Sequence, residues 1–419
     1  MTTTRLASST AAALALLLGL AACGGNDPQD EGSIPGPTLE GENDDVGSAD
    51  EQDSDTSAAG DSDEGEDTES EEAELPEWPA SNTTTMVHET TITDPVISPK
   101  SVVSNDRGLA IANNMMYQHT ITVYDTEERE LLHELDDTVN PADYGVEGYP
   151  EAVTGAPVEV VWTEDGEYAY VTNYVLTGLD GAFADDDCSN GEAIEPSAVY
   201  RYSTAEGDWD QFIEVGRVPK YVELTPDGNT LLVSNWCDHD MSVVDVASGE
   251  EQMRIPLNSQ PRGIAVMPDN TTAYVTAMYA NEVYKVDLDS GDSEVILTTG
   301  ERPRHLVLDE TGENLYITVA GANELIRFDP STDEVVDRVA TGAEPRTMDI
   351  SADGTALYVV NYNENTVSKF DAETLEEIER LPSQGGHPIG VSYDAHTGTV
   401  WVANYDGSIA VYDDHSTER

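Results

Sequence analysis

The sequence predicts an all-β chain folded as a seven-bladed β-propeller of four-stranded antiparallel blades, and three observations carry that prediction. A proline opens each of seven similar stretches, at Pro99, Pro157, Pro219, Pro261, Pro303, Pro345 and Pro388, and the later intervals are 42, 42, 42 and 43 residues. Within each stretch, short runs of alternating apolar residues are divided by Gly and Asn punctuation, which suits antiparallel strands and excludes long helices. A period of this size built from such strands indicates a propeller blade.

The first 80 residues stand apart from this pattern. Residues 6–22 are uncharged, hold the apolar run "AAALALLLGLAA", follow Arg5 and end at Cys23. The run is too short for a membrane span and has the layout of a secretory signal. The tetrad Leu20-Ala21-Ala22-Cys23 resembles a bacterial lipobox, which implies cleavage before Cys23 and a diacylglyceryl anchor on that thiol. The expected divisions are a lipoprotein signal peptide over 1–22, a disordered acidic tether over 23–80 and the propeller over 81–419. The expected location is extracytoplasmic, at a membrane held through lipidated Cys23.

Residues 24–78 contain 21 Asp and Glu and no Lys, Arg or His, so the tether cannot bury enough apolar surface to fold. As a flexible coil, about 60 residues span roughly 45 Å end to end. The propeller is acidic too, with 63 acids against 17 bases over residues 79–419 and only four Lys in the whole chain. An acid-rich, Lys-poor surface fits a salt-tolerant source. It disfavours a nucleic-acid partner, which would meet a like charge.

In the sixth stretch the expected strands are 347–350, 356–361, 366–371 and 376–380. Asp353-Gly354 makes the first hairpin turn, as Asp165-Gly166 and Asp227-Gly228 do in the second and third stretches. The seventh stretch ends after Val411-Tyr412-Asp413 and lacks an outermost strand. The segment "TTTMVHETTIT" at 83–93 is spare, and pairing it with the last blade would close the ring and remove an exposed edge.

The phrases "AYVTNY" (169–174), "LLVSNW" (231–236), "AYVTAM" (273–278), "LYVVNY" (357–362) and "VWVANY" (400–405) resemble the YVTN-type, YncE-like seven-bladed β-propeller family over residues 83–419. The resemblance implies the fold and leaves function open, because such propellers serve as binding platforms, redox-cofactor holders and lactonases.

One face of such a disc collects strand-A starts, strand-B ends and B–C loops. Directly after five of the opening prolines come Lys100, Lys220, Arg262, Arg304 and Arg346. These form either a cationic ring for an anion or a set of repeat-specific ion pairs with neighbouring acids. Extra residues near 136–154 and 175–196 fall on the same face. With Cys23 lipidated, Cys188 and Cys237 remain in adjacent B–C loops, and an exported chain favours a disulfide between them over free thiols or metal ligands. Asp185, Asp186 and Asp187 with Asp238, His239 and Asp240 make an acidic rim, where Asp185, Asp187, Asp238 and Asp240 are the candidate Ca²⁺ ligands.

His119 and His239 hold the place of Asn281, Asn323, Asn365 and Gly407, six residues before the Asp that ends strand C, and are read as left-handed turn positions. Neither a nucleophile elbow, a zinc-protease motif, a haem attachment site nor a P-loop is present. The resulting expectation is a binding module that takes a protein, a glycan or an anionic small ligand on this face, without a cofactor. The alternative is a lactonase-like hydrolase or redox-cofactor-associated propeller acting in the central funnel, with Arg304, His305, His387 and Glu159 as the residues to inspect for hydrolysis.

Overall fold

The computed structural model describes residues 80–115, 118–178, 188 and 194–415. Cys23, the signal and tether, and Asp185, Asp186 and Asp187 lie outside the described residues. The described chain forms seven four-stranded antiparallel sheets, each with its strands in chain order apart from the closing one. In the sixth blade the strands are Pro345–Ile350, Ala356–Asn361, Thr366–Asp371 and Glu377–Pro382.

Innermost strands from all seven blades line one axial cavity. Second strands are buried almost throughout, as in Ala356–Asn361, whereas outermost strands such as Glu334–Ala340 are largely exposed. The core therefore lies between blades. One apolar cluster joins Ile111, Ile121 and Val123 of the first blade to Val160, Val171 and Tyr200 of the second. Tyr358 and Tyr393 stack between the sixth and seventh blades with centroids 5.5 Å apart. Burying apolar faces this way contributes about 25 cal/mol per Å² removed from water.

Turns follow the sequence. Gly166, Gly228 and Gly354 take φ of 70°, 68° and 69° at the A–B hairpins, a conformation that strains any residue with a Cβ. His119 and His239 have φ of 56° and 57°, alongside Asn281, Asn323, Asn365 and Gly407 at 60°, 55°, 58° and 93°. The Asn members also pin the next blade. The side-chain oxygens of Asn281, Asn323 and Asn365 accept from the backbone N–H of Arg302, Glu344 and His387 at 2.9, 2.7 and 2.6 Å.

Val87–Thr93 pairs antiparallel with Ser408–Asp413 and supplies the fourth strand of the seventh blade. A buried ion pair secures this closure. Lys369 Nζ meets both Asp414 carboxylate oxygens at 2.6 and 2.8 Å, and both side chains are fully buried. Lys369 also donates to the carbonyl of Asn82, and the Tyr358 hydroxyl donates to Asp414 at 2.5 Å. Such a pair costs desolvation, and removing one partner alone costs more.

Residues 136–154 form a cap over the first two blades. Thr138–Val139 pairs with Val153–Thr154, and a 3₁₀ turn spans Pro141–Tyr144. The cap is held by Tyr149, whose hydroxyl donates to Glu214 at 2.7 Å and whose ring packs against Phe212.

Candidate functional site

Six inner strands begin with the opening proline and the first begins at Ser101, two residues after Pro99; counted from that proline, the second, third and fifth residues differ in what they face. The third and fifth residues, such as Tyr221 and Glu223 or His305 and Val307, line the axial cavity. The second residue in five blades is the base singled out by the repeat. Lys100, Lys220, Arg262 and Arg304 are 7%, 6%, 7% and 8% exposed. They converge: Lys100 is pressed by the charges of Arg262, Arg304 and Lys220, and Arg304 by Arg262 and Arg346.

Their pairing is uneven. Lys100 Nζ is 3.4 Å from Glu159 Oε1 on the second blade. Arg346 is held by Glu344 at 2.7 Å, two residues before it, and its guanidinium lies 3.4 Å over the Tyr362 ring. Lys220 lies over the rings of Tyr174 and Trp236 at 4.2 and 5.4 Å, and both it and Arg262 have further partners in the protein. Arg304 differs, because among the described residues its guanidinium has neither a hydrogen bond nor an ion pair. Burial first, then Arg262 and Arg346, push its protonated form well out of favour. A guanidinium does not release its proton in a protein, and the charges of Glu344 and Glu159 offset part of this cost.

Below the bases, His305 Nε2 and the Tyr221 hydroxyl are 3.1 Å apart, with the rings edge to face. Burial and then the charges of Arg262 and Arg304 push His305 down to about 3, so the imidazole is neutral. Burial also raises the Tyr221 phenol well above its ordinary value. A cavity of about 660 Å³ extends from Glu159, Tyr221 and His305 toward the opposite face, and none of the five bases lines it.

Its walls carry Glu223, Asp349 and Asp106, pushed up to about 8, 6 and 7 chiefly by burial. Two of these join blades. Asp349 accepts from the Tyr393 N–H and Asp106 from the Ala395 N–H, each at 2.7 Å.

Cys188 and Cys237 form a disulfide with Cα atoms 5.2 Å apart, beside the apolar cluster of Tyr174, Val175, Trp236 and Met278. Of the candidate Ca²⁺ ligands, Asp238 takes Arg217 at 2.7 Å and Arg254 at 3.2 Å, and Asp240 accepts from Asn235 at 2.8 Å. Among the described residues no group of three His, Cys, Asp or Glu has metal-holding geometry. His387 lies exposed on the rim, 4.6 Å from the Tyr362 ring, and does not approach His305 in any contact.

The repeat position identified the bases, but Glu344, Tyr221 and the rim aromatics Tyr279, Tyr362 and Tyr405 were not legible as site residues. Their only signal was position: Tyr221 is the third residue of an inner strand, Glu344 directly precedes an opening proline, Tyr362 and Tyr405 follow the strand-B Asn, and Tyr279 stands two residues past the end of its strand B. That Asn is structural. Asn173 and Asn235 are fully buried and accept from the backbone N–H of Ala156 and Gly216, both at 3.1 Å.

A family model described as "Lactonase, 7-bladed beta-propeller" matches residues 150–374 and 325–418. No curated protein matches the chain in sequence. Among solved structures, the fold is similar to one titled Kuenenia stuttgartiensis Hydrazine Synthase, with TM-score 0.59 and 18% identity, covering 76% of this chain and 96% of that one. It is also similar to a chain in a structure titled Crystal Structure of Mitotic Checkpoint Complex, with TM-score 0.62 and 12% identity over 84% and 98% of the two chains. At these identities the likeness concerns the fold alone.

Proposed function

The chain belongs to the family of seven-bladed lactonase propellers, and from that premise we propose that it captures an anionic small ligand in the funnel ringed by Lys100, Lys220, Arg262, Arg304 and Arg346. The observation that carries this reading is Arg304. In a chain with 84 acids and 18 bases, a buried arginine pressed by Arg262 and Arg346 has neither a hydrogen bond nor an ion pair among the described residues, and Glu344 and Glu159 act on it only through their charges. Lys100 and Arg346 are already matched by Glu159 and Glu344, so the ring offers one strong anion position, with the other bases raising the local potential.

The YVTN-type phrases place the funnel face on a scaffold suited to binding. The lipobox-like tetrad ending at Cys23 fits presentation outside the membrane on an acidic tether. A protein or glycan partner would dock on this same face through its anionic groups.

Lactone hydrolysis is the second reading, favoured by the family match. Glu159 is its candidate base, since His305 is held neutral with little basicity. An anion on Arg304 would orient the lactone, Glu159 would take a proton from a water as that water's oxygen bonds to the carbonyl carbon, and the ring C–O bond would then break with the proton passing to the departing ring oxygen.

The test is thermal unfolding of the purified full chain with acetate, phosphate and citrate at fixed ionic strength. Binding raises the unfolding temperature by mass action. The reading expects at least one anion to stabilise the wild type and none to stabilise Arg304→Gln. Equal shifts in both proteins would contradict it. Turnover of a carboxylated lactone that Glu159→Gln abolishes would establish the second reading.

A further inference from the structure

We infer that His119 and Asp137 form a proton-operated latch on the cap: a protonated His119 holds the cap's stem shut, and a neutral one lets residues 138–154 lift from the first two blades. The latch is independent of the anion site. The stem is the point where the cap leaves and rejoins the disc. There the Gly155 N–H donates to the Asp137 carbonyl at 3.1 Å, and the Asp137 N–H donates to the His119 carbonyl at 3.3 Å. The His119 ring reaches both ends of the stem, with Nδ1 3.0 Å from the Gly155 carbonyl oxygen and 3.6 Å from Asp137 Oδ2.

Asp137 is the unusual member. Its side chain is 1% exposed, and neither carboxylate oxygen accepts a hydrogen bond among the described residues. Asp136, its neighbour in the stem, adds a like charge. On the second blade Tyr200, whose buried hydroxyl also lacks a partner, feels the Asp137 charge together with Tyr144 and Tyr149 of the cap. Tyr149 is bonded to Glu214, and Tyr144 is acted on by Asp208, Asp143 and Asp210. All of these are acids or phenols, so the imidazolium of His119 is the cation that compensates an ionised Asp137. The His119 side chain is 40% exposed and exchanges its proton with solvent directly.

Both groups set the same sign. Burial raises the Asp137 carboxyl to about 6, and the Asp137 carboxylate raises His119 above its ordinary value. Each holds its proton more firmly in the closed stem than in the open chain, so closure is strongest in acid and weakens as pH rises. Once His119 is neutral, a buried carboxylate stands without a cation or a hydrogen bond among the described residues, and lifting the cap lets water reach it. The cap's own ladder is the two-residue pairing of Thr138–Val139 with Val153–Thr154, separate from the four-stranded sheets, so it opens while the disc stays whole.

The test is hydrogen–deuterium exchange of the purified full chain between about pH 6 and about pH 9, corrected for the intrinsic dependence of exchange on pH. Protection of peptides covering 138–154 is expected to fall at least tenfold relative to a peptide covering Ala356–Asn361 of the sixth blade, which reports the whole fold. Asp137→Asn keeps the shape, removes the buried charge and is expected to hold the cap protected across the range. The sixth-blade peptide guards against a folding defect in that variant. Cap protection that tracks the sixth blade in the wild type, or that falls equally in Asp137→Asn, overturns the latch.

Discussion

His305 on the fifth blade and Tyr221 on the third are joined at 3.1 Å across the intervening fourth blade, because that blade offers Gly263 where a side chain would stand. A Cβ on Gly263 would lie 2.8 Å from the Arg304 carbonyl oxygen and 2.9 Å from the His305 Cα, both backbone atoms. The fifth blade's inner strand is thereby drawn in close at Arg304, His305 and Leu306.

Gly263→Ala is therefore expected to push the fifth blade outward. The predicted loss is about 1–3 kcal/mol, the usual cost of overpacking, read as a lower urea midpoint. Anion affinity should weaken with it. A variant of unchanged stability would show that the two inner strands have slack.

Arg304→Gln is expected to have the opposite effect on the ligand-free protein. Removing a buried charge that no hydrogen bond or ion pair holds among the described residues should stabilise the fold by about 1 kcal/mol or more. This separates a functional base from a structural one, since a residue kept for packing would destabilise when replaced. Unfolding temperature without added anion decides between them.

The sign of the pH dependence follows from Glu223. Burial raises its carboxyl to about 8 in the folded protein, with Asp349 adding to the shift. The folded state thus holds a proton that the unfolded chain releases near the ordinary glutamate value. Stability is full below that value and falls as pH rises to about 8. Asp106 and Asp349, raised to about 7 and 6, act in the same direction. Urea unfolding of Glu223→Gln should show a shallower decline between about pH 5 and 8, and a slope equal to wild type would remove Glu223 from the account.

Lys369→Met should cost about 3–5 kcal/mol, because Asp414 is left buried without its cation. Lys369→Met combined with Asp414→Leu should recover much of that loss. The comparison isolates the ring-closing pair, and a double variant as weak as the single one would mean that the Asn82 and Tyr358 contacts dominate.

Much of the architecture was readable because the repeat is local. The strands Ala356–Asn361 and Thr366–Asp371 occur where the Asp353-Gly354 turn and apolar alternation place them. The closing strand begins at Val87 rather than residue 83, since Asn82 is taken up by the backbone N–H groups of Thr84 and Thr85 and by the Asp414 and His415 carbonyls. The bases were legible as a repeated position. Their inequality was not, because Glu344 and Glu159 reach Arg346 and Lys100 through geometry that no period encodes. The Tyr221–His305 contact joins blades that are not neighbours and depends on Gly263, so it appears only in three dimensions.

The central claim is an anion position at Arg304. A crystal soaked in bromide and measured at the bromine absorption edge tests it directly. The account predicts an anomalous peak within hydrogen-bonding distance of the Arg304 guanidinium, absent in Arg304→Gln. Bromide found only at outer bases such as Arg254, with the axial position dark, would contradict it.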